Sequence, residues 1–182
     1  MAIMESEEIV LELRETLCKV PETQVDAFIR MLRSHARLFV YAAGRSGLMI
    51  KAFAVRLVQM GFTAYVVGET ATPSLQKGDL LILASASGTT KSVCEYADTA
   101  KKIGADTAVI TTDTPSYLRE NFEPVILMTA DSKLTVEQKS VQPMGSLFEQ
   151  ALLLILDTTI MRMTAHRAGK YDEMRRNHVN LE

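Results

Sequence analysis

Two short loops carry the chemistry of this sequence. Ala42-Ala43-Gly44-Arg45-Ser46-Gly47 and Ser85-Ala86-Ser87-Gly88-Thr89-Thr90 each join a glycine to hydroxyl side chains, where an apolar run gives way to a helical pattern. Glycine lets the backbone approach a ligand closely, hydroxyls donate hydrogen bonds, and the first N–H groups of a helix have no partner within it. Together these features make an anion site. The charge pattern points the same way. Helix N-termini favour acids, yet residues 46–60 contain no acid and carry Lys51 and Arg56, with Arg45 just ahead. The helical segment from Thr89 opens with Lys91 and meets its first acid at Glu95. A bound phosphate would turn those unfavourable cations into favourable ones. Hydroxyl caps are common at ordinary helix starts, so one such loop alone would read as structural and its lysines as solvated. Two, each following an apolar run, favour a phosphate. Neither a Walker A motif nor G-x-G-x-x-G is present, so the expected ligand is a small molecule with one phosphate, and no nucleotide cofactor is expected.

Glu149 is the candidate general base. It sits among Leu147, Phe148, Leu152 and Leu153, which would desolvate a carboxylate and raise its pKa toward the working pH. Ser146-Leu147-Phe148-Glu149 equally fits a capping box, in which the glutamate only returns a hydrogen bond to the helix start. Pro143 weighs against that, because it would start the helix earlier. Arg45 could pair with a structural carboxylate, though its place inside a phosphate loop favours the ligand. His35, His166 and His178 are too scattered for a metal centre. His178 lies in a basic tail that is either solvent-exposed or docked on a neighbouring subunit.

These loops need a scaffold, and the hydrophobic pattern supplies one. Apolar runs at 38–42, 64–67, 80–84, 107–111 and 125–128 predict five strands that are largely buried on both faces. Helical patterns alternate with them: one to Met60, one over 90–103 and a short turn around Tyr117 and Leu118. A long apolar helix over 144–168 and a short one over 171–177 follow. Strand–helix alternation predicts an α/β fold, an open parallel five-stranded sheet flanked by helices. Residues 1–35 form a helical arm in this reading, with Ser6 capping the first helix and Pro21 opening the second, and 36–182 form the core of a single domain. The run 151–156 is apolar around most of its helix, which predicts cover from a neighbouring subunit or from the chain's own core.

The totals exclude several classes. Of 182 residues, 47% are hydrophobic and 23% charged, and the net charge is -2. That gives no general basic field for nucleic acid. Cys18 and Cys94 are far apart and outside any C-x-x-C pair, so both are expected as small apolar residues in helices. The first eight residues carry three acids and no basic region, unlike a secretory leader, and the apolar run is too short for a membrane span. A cytoplasmic location is expected.

Five segments, in order along nearly the whole chain, carry a family likeness: A-G-R-S-G at 43–47, V-G-E-T-A-T-P at 67–73, S-A-S-G-T-T at 85–90, Q-P-M-G-S-L-F-E-Q at 142–150 and R-R-N-H-V-N-L-E at 175–182. On these residues the chain resembles the sugar isomerase (SIS) domain family, most specifically its branch that interconverts 3-hexulose 6-phosphate and fructose 6-phosphate. The resemblance implies a flavodoxin-like sheet, a metal-independent reaction through a cis-enediol in the ribulose monophosphate pathway, and a homotetramer whose active sites are shared between subunits. By the same resemblance Gly44, Arg45, Ser46, Ser85, Ser87, Gly88, Thr90 and Gln142 would bind the sugar phosphate. Glu149 would be the base, and His178 a polar catalytic partner from across an interface. Other family activities remain open at this point: a related isomerase acting on, for example, arabinose 5-phosphate, or a phosphosugar-sensing module without catalysis.

Overall fold

Each apolar run becomes a strand. The computed structural model describes residues 4–135, 139–165 and 169–181. Strands β1 (Arg37–Ala42), β2 (Thr63–Val66), β3 (Leu80–Ser85), β4 (Asp106–Thr112) and β5 (Pro124–Met128) pair in parallel in the order β2-β1-β3-β4-β5. Around them run α1 (Met4–Cys18), α2 (Glu22–Ser34), α3 (Gly44–Gln59), α4 (Lys91–Ile103), α5 (Tyr117–Asn121), α6 (Ser146–Thr164) and α7 (Lys170–Arg176).

Alternate strand residues build two cores. Leu38, Val40, Leu80, Ile82, Ala108 and Ile110 face a layer made by α1, α2, α3 and α6. Phe39, Leu81, Leu83 and Val109 face the thinner layer of α4 and α5. All six residues of β3 are buried, which accounts for the continuous apolar signal of a central parallel strand. Leu13, Val25, Phe28, Ile29 and Leu32 from the two N-terminal helices join the first core. The order reverses between β1 and β3, so the chain leaves β1 toward one face and β3 toward the other. A crevice opens between those two loops at the carboxyl edge.

Three expectations change, at Ser6, Met144 and Cys18. Ser6 lies inside α1 rather than capping it, with Glu5 and Glu7 in the first turn favoured by the helix dipole. Met144 is outside α6, because its φ of 61° belongs to the left-handed region and ends any helical continuation. The expected helix end at 165–168 falls partly on residues 166–168, among them His166, which lie outside the described residues. Most of α6 is covered by its own chain: Ala151, Leu152, Ile155, Leu156, Ile160 and Met163 are buried, leaving Leu154 and Met161 exposed. Both cysteines are free. Cys94 is half-buried in α4, but Cys18 is exposed at the end of α1. Among the described residues, no helix is long and apolar enough to cross a membrane.

Candidate active site

The loop after β3 folds on its own hydroxyls. Ser85 Oγ lies 3.1 Å and Ser87 Oγ 3.4 Å from Thr90 Oγ1, and the Gly88 N–H donates to Ser85 Oγ at 3.2 Å. Gly88 has φ 61°, and a Cβ there would overlap the Ser116 side chain, so the turn requires glycine. From behind, Thr111 Oγ1 donates to the Ser85 carbonyl at 2.6 Å and Thr112 Oγ1 to the Ala86 carbonyl at 2.9 Å. The Leu118 N–H donates to the Gly88 carbonyl at 3.0 Å. β4 and α5 therefore hold three of the loop's carbonyls.

The loop after β1 is plainer. Gly44 has φ 60°, and a Cβ on Gly47 would stand 2.5 Å from the Ala42 carbonyl oxygen, so α3 approaches β1 closely only with glycine there. Ser46 is buried. Arg45 Nε reaches to 3.0 Å from Glu149 Oε2, and Arg45 Nη1 donates to Ser146 Oγ at 3.4 Å.

The N-termini of α3, α4 and α6 converge here. Their caps are Ala43, Thr90 and Gly145, and none of these side chains accepts a hydrogen bond from its helix. The first turns of α3 and α4 carry no acid. Between them lies a cavity of about 330 Å³, lined by residues of both loops together with Ser132, Lys133, Ser146 and Glu149. The acid-free N-termini of α3 and α4 and the convergent hydroxyls suit this cavity to an anionic group.

Glu149 is the acid within this cationic ring. The capping-box alternative fails, because Gly145 rather than Ser146 is the cap. The Glu149 side chain is only 16% exposed, and its Oε2 accepts no hydrogen bond, so the contact with Arg45 is an ion pair without hydrogen-bond alignment. Burial pushes the carboxyl above its ordinary pKa, and the Arg45 charge draws it partly back. A desolvated carboxylate with an oxygen free of hydrogen bonds is suited to taking a proton.

Of the residues expected from sequence, Gly44, Arg45, Ser46, Ser85, Ser87, Thr90 and Glu149 line this cavity, and Gly88 shapes it from the loop behind. Gln142 is not in its wall; the side chain is buried and donates to Glu12 Oε2 of α1 at 3.0 Å. His178 is not brought to Glu149 within the chain. It borders a separate groove with Arg56, Met161 and Tyr171, its Nδ1 3.0 Å from the Val179 carbonyl. Ser132 and Lys133 went unanticipated. They follow β5, and the rule that ligands gather after strand carboxyl ends was the available signal.

The 2-1-3-4-5 parallel sheet places two hydroxyl-rich loops at its switch point, and residues 31–154 match the SIS domain model; the chain belongs to that family. It is 38% identical to the 3-hexulose-6-phosphate isomerase of Bacillus subtilis over 96% of both chains. The enzyme of the same name from Mycobacterium gastri is 39% identical, over 94% of this chain and 86% of that one. A Methanococcus jannaschii protein with an inferred 3-hexulose-6-phosphate isomerase function superposes with a TM-score of 0.79 at 33% identity, covering 97% of this chain and 96% of its own.

Proposed function

We propose that this protein is an isomerase that interconverts 3-hexulose 6-phosphate and fructose 6-phosphate. The observation that carries this reading is a half-buried carboxylate, Glu149, whose inner oxygen accepts no hydrogen bond, in a hydroxyl-lined cavity where three helix N-termini meet. The phosphate sits on Ser85, Ser87 and Thr90, with Ser46 and Arg45 opposite and Gly88 keeping the turn tight. Glu149 removes the proton from C2 of the open-chain sugar as O3 takes one up, giving a cis-enediol across C2 and C3, and returns it to C3 as O2 gives up its hydroxyl proton. C2 is oxidised as C3 is reduced, so the electron balance closes within the sugar and needs no redox cofactor. Among the described residues, no group of three His, Cys, Asp or Glu gathers to hold a metal ion. The charge developing on the substrate oxygen is met by the positive helix ends.

The working form is a homotetramer with shared sites, in which His178 of a neighbouring subunit completes the cavity. Exposed Leu48, Val55 and Val58 on α3, with Leu154 and Met161 on α6, support that assembly. Gln142 acts from behind, anchoring the segment before α6 to α1. We assign the reaction to the cytoplasm and to the ribulose monophosphate pathway, in keeping with the relatives' named activity. Fructose 6-phosphate formation, followed by coupled NADPH production, tests the reading. Glu149→Gln is expected to lower kcat by about 10²–10⁴-fold with KM little changed. Full turnover in that variant would remove Glu149 as the base; no turnover by folded wild type would remove the substrate.

A further inference from the structure

The ion pair over the cavity is poorly made, and its defects share one explanation. Arg45 approaches Glu149 through Nε at 3.0 Å, but the carboxylate oxygen it faces accepts no hydrogen bond. Its Nη1 contact with Ser146 Oγ is long, at 3.4 Å, and its side chain is 59% exposed. A guanidinium offers five donors in a planar fork that matches two oxygens of a phosphate or carboxylate. Most of that fork is unused here. Arg45 shares its cavity with Ser85, Ser87 and Thr90. A phosphate seated on those hydroxyls carries nearly twice the charge of Glu149 and can take the fork in bidentate geometry.

We propose that Arg45 is a latch on the base, holding the Glu149 carboxylate before substrate arrives and passing to the substrate's phosphate when that group docks. This rests on the reading of the cavity as a phosphosugar site. Before substrate docks, the Arg45 charge offsets part of the burial that pushes the Glu149 carboxyl up. Once Arg45 leaves, the carboxylate remains desolvated in the cavity wall without its counter-charge, and its basicity rises when the substrate C–H arrives. The charged side chains that line the cavity with Glu149 are Arg45 from α3 and Lys133 from the segment after β5. Substituting Arg45 alone separates its share from that of Lys133.

The test is a ¹³C NMR titration of the Glu149 carboxyl, assigned with Glu149→Gln, in wild type and Arg45→Met, with and without sulfate. Sulfate is a dianion that does not itself titrate in the range, and amide shifts of Gly88 and Thr89 report its binding independently. In wild type, saturating sulfate should raise the Glu149 pKa by about one pH unit or more. In Arg45→Met the sulfate-free value should already be raised, and sulfate should add less than half the wild-type change. Equal sulfate-induced rises in the two proteins overturn the latch, because the anion's own field then suffices. If Arg45→Met no longer holds sulfate, a raised sulfate-free pKa supports the transfer and an unchanged one overturns it. Loop amides that ignore sulfate in wild type would sink the phosphate-site reading itself, a distinct failure that takes the latch with it.

Discussion

The loops leaving β1 and β3 share a glycine in the left-handed region, Gly44 at φ 60° and Gly88 at φ 61°, but what lies behind each glycine differs. Behind Gly44 a Cβ would meet nothing within 4 Å; behind Gly88 it would collide with Ser116 and press Thr111 Oγ1 at 3.3 Å. The second loop is cross-linked internally through Thr90 Oγ1 and backed by Thr111, Thr112 and Leu118. The first carries one long side chain, Arg45, that reaches across the cavity to α6. A preorganised cradle and a movable contact thus face each other. An anion site gains affinity from rigid donors and gains control from a contact that can leave.

The largest effect should come from the glycine with no room. Gly88→Ala combines left-handed backbone strain with a forced shift of Ser116, together about 2–4 kcal/mol. For a domain of this size that lowers the melting temperature by about 5–15 °C. Gly44→Ala meets only the backbone term, about 1 kcal/mol or 2–4 °C. Adding Ser116→Gly to Gly88→Ala removes the colliding atoms and should recover part of the loss. Equal costs for the two alanines, read by thermal melts, would erase the contrast between the loops.

That contrast was only partly legible in the sequence. Strand β3 could be read because burial on both faces leaves an unbroken apolar run, and both loops because hydroxyls and glycine at a strand-to-helix turn are a local signal. The backing of the Ser85–Thr90 loop was not legible, since Thr111 and Thr112 look like ordinary strand residues and act 26 positions away. Gln142 was placed in the site by likeness alone; its partner Glu12 is 130 positions distant, beyond any periodicity. The apolar α6 left its cover undecided, because pattern reports that a helix is covered, not by what. Here α1, α2 and α3 supply most of the cover.

Thr90→Val probes the cradle directly. It keeps the side-chain shape and removes the hydroxyl shared by Ser85 and Ser87. Losing a hydrogen bond to a charged group costs about 1.5–3 kcal/mol, so KM should rise about 10–100-fold while kcat changes much less. Ser46→Ala, in the first loop, should raise KM less, because Ser46 stands outside the hydroxyl network that fixes Thr90. A larger loss in Ser46→Ala, measured by steady-state kinetics, would move the phosphate toward α3 and reverse the assignment of the two loops.

The smallest effect separates positioning from contact. Thr112 is 1% exposed and its hydroxyl donates to the Ala86 carbonyl, so it touches the loop and not the ligand. Thr112→Val keeps the volume but leaves a buried carbonyl short of a donor, at about 1 kcal/mol. If the backing serves only stability, the melting temperature falls by about 2–4 °C and the kinetics stay put. If it sets the cradle, KM also rises about three- to fivefold at unchanged kcat, the same 1 kcal/mol now appearing in binding. Thr112→Ser, which restores the donor, should then recover KM. A KM that moves with Val and returns with Ser ties the β4 hydroxyl to phosphate affinity through the loop, and a KM that ignores both confines the hydroxyl to holding the fold.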